Sequence, residues 1–199
     1  KYVVHCNGLD KKEIHCGIYL NIDPMSVAIS VIVNNKIYFI DEINMTGSNT
    51  DQVCDELRRR YPNSRIIMYP DAAGRQRKTS AGGRTDISIL QNAGFRINVK
   101  MANPPIRDRV NAVNSKLENS KGERSLFVDP KCKQIIKSLE SMTYKPNTSV
   151  IHNDDNTHMA DAVGYLVDFL YPLRTNYSAQ QPTRWAFSKN TQGVSNARY

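Results

Sequence analysis

No apolar run in the 199 residues is long enough to span a bilayer, and no signal-peptide pattern follows Lys1. No membrane partner is expected. Cysteine is sparse: Cys6, Cys16, Cys54 and Cys132, none in a Cys-x-x-Cys pair. That argues against a disulfide or zinc framework and for reduced thiols in an intracellular protein. No Gly-x-x-x-x-Gly-Lys-Ser/Thr occurs, so the chain lacks a P-loop phosphate cradle. Nothing resembles a helix that reads base edges. The first residue is Lys1 rather than methionine, which reads as an excised fragment.

What is present is an ordinary globular composition, 40% hydrophobic and 23% charged, with enough residues for one sizeable core. The net charge is +8. Such an excess suits a polyanion, most simply nucleic acid; a basic surface with no partner is the bland alternative.

The pattern is organised around Gly17-Ile18-Tyr19-Leu20-Asn21-Ile22-Asp23. Apolar residues alternate with Tyr19 and Asn21, as in a buried strand, and Asp23 stands where the run stops at Pro24. A carboxylate near the middle of a sheet costs several kcal/mol, on the order of magnitude for a buried charge, unless it is satisfied. Metal, an arginine or a ring of backbone donors would each serve.

Strands at 27–33 and 37–43, joined through Asn34-Asn35-Lys36, complete an antiparallel meander. Thr50 to Tyr61 reads as a helix capped by Ser48 or Asn49, with Val53, Cys54, Leu57 and Tyr61 inward. Its final Arg58-Arg59-Arg60 is explained by the helix dipole rather than by DNA. Arg65 to Pro70 is a short strand, again followed by an acid, Asp71. Residues 72–84 are small, glycine-rich and basic, a surface loop by composition. Further elements are a helix from Thr85 or Asp86 to Ala93, a strand over 95–99, a helix over 106–117 opened by Pro104-Pro105, a strand over 125–128, and helices over 132–142 and 157–171. The expected class is α/β: a central mixed sheet, with a three-strand antiparallel meander plus parallel strands, flanked by helices on both faces. Residues 1–16 form a lead-in, 17–174 the domain, and 175–199 a polar tail whose Trp185 and Phe187 either dock a partner or pack back on the domain.

Asp23 and Asp71 both follow strands, and Asp161 lies in the first turn of the last helix. Adjacent strands ending at one edge, with a helix across it, would gather all three. Converging carboxylates call for divalent metal, and oxygen-only ligands suit Mg2+ or Mn2+. Two such ions support phosphodiester cleavage. Taken singly, each acid is more often a cap or a surface residue.

The strand-Asp, the second strand-Asp followed by Ala72-Ala73-Gly74, the helix Ile106-Arg107-Asp108-Arg109-Val110-Asn111-Ala112-Val113-Asn114, and His158-Met159-Ala160-Asp161-Ala162-Val163-Gly164-Tyr165 together resemble the nuclease domain of the large terminase subunit of tailed bacteriophages. The resemblance spans roughly residues 16–171. It implies a ribonuclease H-like fold, with Asp23, Asp71 and Asp161 as catalytic, metal-binding acids around two ions. It implies cutting of concatemeric viral DNA in packaging, in the host cytoplasm and outside the mature virion. The partners it implies are double-stranded DNA, an N-terminal ATPase domain absent from this chain, the small terminase subunit and the portal. The tail is a candidate for the portal-facing end.

Arg75, Arg77, Lys78 and Arg84, with Lys100, Arg107 and Arg109, are candidates for phosphate contact, against a solvated loop or local ion pairs to Asp108 or Glu118. His158 is a possible contact to metal-bound water, or simply a helix-start residue. Asp154 and Asp155 read as caps or outlying carboxylates. Two other functions fit the residues: another ribonuclease H-like nuclease such as a junction resolvase, and a non-catalytic DNA- or portal-docking module.

Overall fold

The computed structural model describes residues 2–20, 23–76, 84–141 and 157–173. The first strand, β1 (Glu13–Tyr19), alternates by sheet face. Ile14, Cys16 and Ile18 are fully buried in one core, while Gly17 lies under a helix on the other face. β1 pairs antiparallel with β2 (Met25–Val33), and β2 pairs antiparallel with β3 (Lys36–Met45). Asn34 and Asn35 turn the β2–β3 hairpin with positive φ, the conformation asparagine tolerates best among residues with a side chain.

The remaining strands add in parallel. β4 (Arg65–Pro70) lies beside β1, β5 (Arg96–Ile97) beside β4, and β6 (Leu126–Val128) beside β3. The six-stranded order is β5-β4-β1-β2-β3-β6. Val3 makes an isolated bridge to Val128, so the lead-in touches the β6 edge.

Helices cover both faces. α1 (Thr50–Arg60) and α2 (Asp86–Asn92) close the core built on Ile14, Ile18, Val27, Leu57 and Met68. α3 (Ile106–Leu117), α4 (Lys133–Ser141) and α5 (Thr157–Leu170) close the opposite core, which contains Phe39, Tyr69, Val113, Ile135, Val163 and Leu166. Asn49 is the α1 cap, in a capping box with Gln52. The arginines that end α1 are structural. Arg59 and Arg60 hold Glu56, whose carboxyl their three hydrogen bonds hold down at about 2, and Arg58 lies on the Phe95 ring. All four cysteines are free and buried. No helix among the described residues is long and apolar enough to cross a membrane.

Three expectations about the elements change. β1 ends at Tyr19 rather than running on to Asp23, because Tyr19 opposite Ser26 is the last pair before the chain turns into β2. Asp23 is exposed in that turn instead of buried at a strand end. The strand expected over 95–99 shortens to two residues. The Asn98 N–H still reaches the Met68 carbonyl, but the Val99, Lys100 and Met101 carbonyls are taken by the Arg75 guanidinium. Part of the expected 72–84 loop is ordered too, as a single 3-10 turn over Ala72–Arg75. Residues 77–83 and the tail expected over 175–199 lie outside the described residues.

Candidate active site

Parallel pairing places two strand ends together. Ile18 of β1 is opposite Pro70 of β4, so the residues that follow, Tyr19 and Asp71, emerge at one sheet edge. The turn carrying Asp23 leaves β1 at the same edge. Asp71 caps the 3-10 turn: its Oδ1 accepts from the Gly74 N–H at 2.9 Å. It is only 5% exposed. Burial pushes its carboxyl up. Backbone donors at Gly74, Leu20 and Ala73 oppose that rise, and the neighbouring Asp86 adds to it. A Cβ at Gly74 would stand 2.4 Å from Leu20 Cδ1, so a larger residue there would need that methyl group to move.

α5 delivers the second acid. It crosses β1 at Gly17, where an added Cβ would lie 1.9 Å from the Ala162 carbonyl oxygen. No other residue permits that approach, and it fixes Asp161 beside Tyr19 and Asp71. Burial raises the Asp161 carboxyl as well. Arg109 and His158 pull it down, while Asp71 pushes it further up. The same pair of acids raises the Tyr19 phenol, after burial as the main cause. Two carboxylates within electrostatic reach of one another form a hard-oxygen donor set that fits a divalent cation such as Mg2+ or Mn2+.

Asp23 reaches this edge but remains exposed, and among the described residues no group of three or more His, Cys, Asp and Glu is close enough to hold a metal ion. The structure therefore brings Asp71 and Asp161 together and leaves Asp23 nearby on the turn.

Around the acids stand residues with defined partners. The His158 ring stacks on Tyr19 at 4.8 Å between centroids and 19° between planes, and its Nδ1 is buried without a hydrogen-bond partner. Arg109, from α3, sits with Nη1 3.0 Å from Asp161 Oδ1 and its guanidinium carbon 4.4 Å from the centre of the Tyr165 ring. The Arg109 stem packs over Gly164 of α5.

The other basic candidates divide. Arg75 is exposed but ties the 99–101 segment through its carbonyls, the shortest contact being 2.5 Å to Lys100. Lys100 pairs with the buried Asp168 of α5. Arg84 lies 3.4 Å from Asp51, and Arg107 is exposed on α3. Arg77, Lys78, Asp154 and Asp155 lie outside the described residues. The ion pairs expected of Arg109 with Asp108 or Glu118 give way to Asp161; Glu118 pairs with Arg124.

Sequence reasoning missed Asp86, which is buried in the field of Asp71 and accepts from the Thr50 hydroxyl at 2.7 Å. Its only sequence signal was its place next to a helix cap. The stack of His158 on Tyr19 left no signal, because the two residues are 139 positions apart, from 158 − 19.

Comparison with known proteins identifies the family and the fold. The family of terminase RNase H-like domains matches residues 20–168. The chain belongs to that family. Its fold is the ribonuclease H-like fold of terminase nuclease domains. The large-terminase nuclease domain of bacteriophage P22 superposes with a TM-score of 0.63 at 12% identity, covering 86% of this chain and 89% of that one. The SPP1 large-terminase nuclease domain, solved with bound Mn, gives 0.54 at 18% identity, covering 83% and 94%. A large terminase of a thermophilic bacteriophage, in complex with ADP, gives 0.64 at 16% identity over 84% of this chain. This chain spans only 42% of that longer terminase. No curated protein sequence matches the chain.

Proposed function

We propose that this domain is the DNA-cutting part of a large terminase: a divalent-metal-dependent endonuclease that acts on double-stranded viral DNA, with little sequence preference, during genome packaging. The observation that carries the reading is that Asp71, at the edge where two parallel strands end, and Asp161 of α5 lie within electrostatic reach of each other. Membership of the terminase family and the Mn bound by the SPP1 domain support it.

In this reading Asp71 and Asp161 hold Mg2+ or Mn2+, and Asp23 joins them from the β1–β2 turn. The chemistry contributed by a pair of bound divalent ions is activation of water and neutralisation of charge at the leaving oxygen. The chain's own residues prepare for that. The Gly74 N–H holds the Asp71 carboxylate, the close contact at Gly17 seats α5, which carries Asp161, and Tyr19, in the field of both acids, stacks on His158. Exposed Arg75 and Arg107, with the net charge of +8, attract the phosphate backbone without reading bases. The remaining partners of this reading are an ATPase domain, the small subunit and the portal, in the host cytoplasm.

Plasmid nicking in Mn2+ or Mg2+ tests the proposal. Asp71→Ala and Asp161→Ala should each abolish cutting while keeping the wild-type circular dichroism, and Asp23→Ala should do the same. Any variant that nicks at the wild-type rate removes its residue from the mechanism. Strong preference for four-way junctions over linear duplex would turn the reading toward a resolvase. Wild-type protein with no metal-dependent cutting, and no change of melting temperature in Mn2+, would leave a docking module.

A further inference from the structure

The residue whose surroundings demand a further account is Arg109. Its side chain is 7% exposed, yet Nε and Nη1 make no hydrogen bond of acceptable geometry. Buried guanidinium groups held for structure are normally engaged through directed, often bidentate, bonds, and a buried donor left unmade is costly. Here the cation is held by charge at 3.0 Å from Asp161 Oδ1 and by the face of the Tyr165 ring. Its methylene stem packs over Gly164, so the charged head is directed to the acid by the α3–α5 contact itself. Asp161 is one of the three acids assigned to metal above. A cation is therefore already paired with a carboxylate assigned to metal.

We propose that Arg109 is a resident counter-cation. It neutralises Asp161 in the metal-free protein and yields that carboxylate when a divalent ion binds, so that it sets the affinity of the site. This rests on the metal reading of Asp161 given above. Arg109 is a positioning residue in this scheme, acting through Asp161. Two features favour exchange over a permanent pair. The contact lacks hydrogen-bond geometry, so little directional bonding is lost when it parts. The Tyr165 face stays available to the guanidinium after Asp161 has turned to metal.

The test uses Mn2+ binding, followed by calorimetry and by the electron paramagnetic resonance of free Mn2+, on the wild type, Arg109→Met, Arg109→Lys and Asp161→Asn. Methionine keeps the stem that lies against Gly164 and Tyr165 but removes the charge. Arg109→Met should tighten Mn2+ binding by about tenfold, the order expected when one competing charge leaves a partly buried site. Arg109→Lys should return affinity toward the wild-type value. A merely structural arginine predicts weaker or unchanged binding in both variants, and that result overturns the proposal.

Melting in EDTA supplies a second readout that needs no folded Arg109 variant. Asp161→Asn should lower the melting temperature, because it strands a buried cation, whereas Asp71→Asn should hold or raise it. A rise in Asp161→Asn matching that in Asp71→Asn overturns the proposal. Failure of the underlying metal reading looks different: the wild type itself binds no Mn2+, and the exchange falls with it.

Discussion

Buried carboxylates in this protein divide according to whether burial or the donors and cations around them weigh more. Asp129 and Asp71 are almost equally buried, at 7% and 5% exposed, yet their carboxyls move in opposite directions. Burial pushes Asp129 up, but the N–H groups of Cys6 and Lys131, at 2.9 and 3.0 Å, together with the Lys131 charge, outweigh it and hold the group below the usual carboxylate range. Asp129 therefore ties the lead-in to the segment after β6. A folded carboxyl lowered below its unfolded value stabilises above the unfolded value and loses that contribution as pH falls through the folded one. Asp129→Asn should thus cost roughly 1.5–3 kcal/mol at neutral pH, the range for hydrogen bonds to a charged group. The gap between variant and wild type should close below about pH 4. Urea unfolding at several pH values checks this; a gap that stays constant would mean that the carboxylate charge is not what holds the lead-in. At this scale the sequence said little. Arg109 carried no mark of its partner, since the Asp161 pairing depends on two helices meeting where Gly164 leaves room.

Elements were the most legible level, because hydrophobic period is a local property. α3 was expected at its observed bounds, and α1, α4 and α5 to within a residue or so of theirs, since their apolar residues recur at helical spacing and their starts carry caps or prolines. Strand ends were less legible. Alternation continues through Leu20, Asn21 and Ile22, but where a ladder stops depends on the partner strand and its turn. The 95–99 strand was cut short for a related reason: a side chain, Arg75, competes for its carbonyls. Gly17 looked like a strand opener and is instead the place where α5 touches the sheet. Gly17→Ala should lift α5 away and cost on the order of 1–3 kcal/mol, the scale of core overpacking. Chemical denaturation would show the loss, and cutting should fall with it as Asp161 moves. Wild-type stability in Gly17→Ala would mean that the helix sits farther from β1.

At the scale of the molecule, a mixed sheet between two helical layers gives two cores and one working edge. The α/β class and the meander were readable from the sequence, whereas the order β5-β4-β1 is long-range information that no local pattern encodes. Net charge acts at this scale as well. The excess of +8 is spread over a domain in which Arg59, Arg60, Arg65 and Arg124 already pair with acids. Binding to duplex DNA should weaken steeply as salt rises, with a slope of roughly −0.9 in log K against log[salt] per phosphate neutralised, and should differ little between sequences. Fluorescence anisotropy over a salt series measures both. Affinity that ignores salt, or that tracks sequence, would contradict a backbone-directed surface.

The buried thiols have a practical consequence. Burial raises the thiol of each of Cys6, Cys16, Cys54 and Cys132, Cys54 to about 12, so almost no thiolate is present near neutral pH. Maleimide reagents should pass over the native protein. A single cysteine introduced on an exposed helix face would then carry a fluorophore alone, and the domain could be followed by energy transfer without first stripping out its own sulfurs.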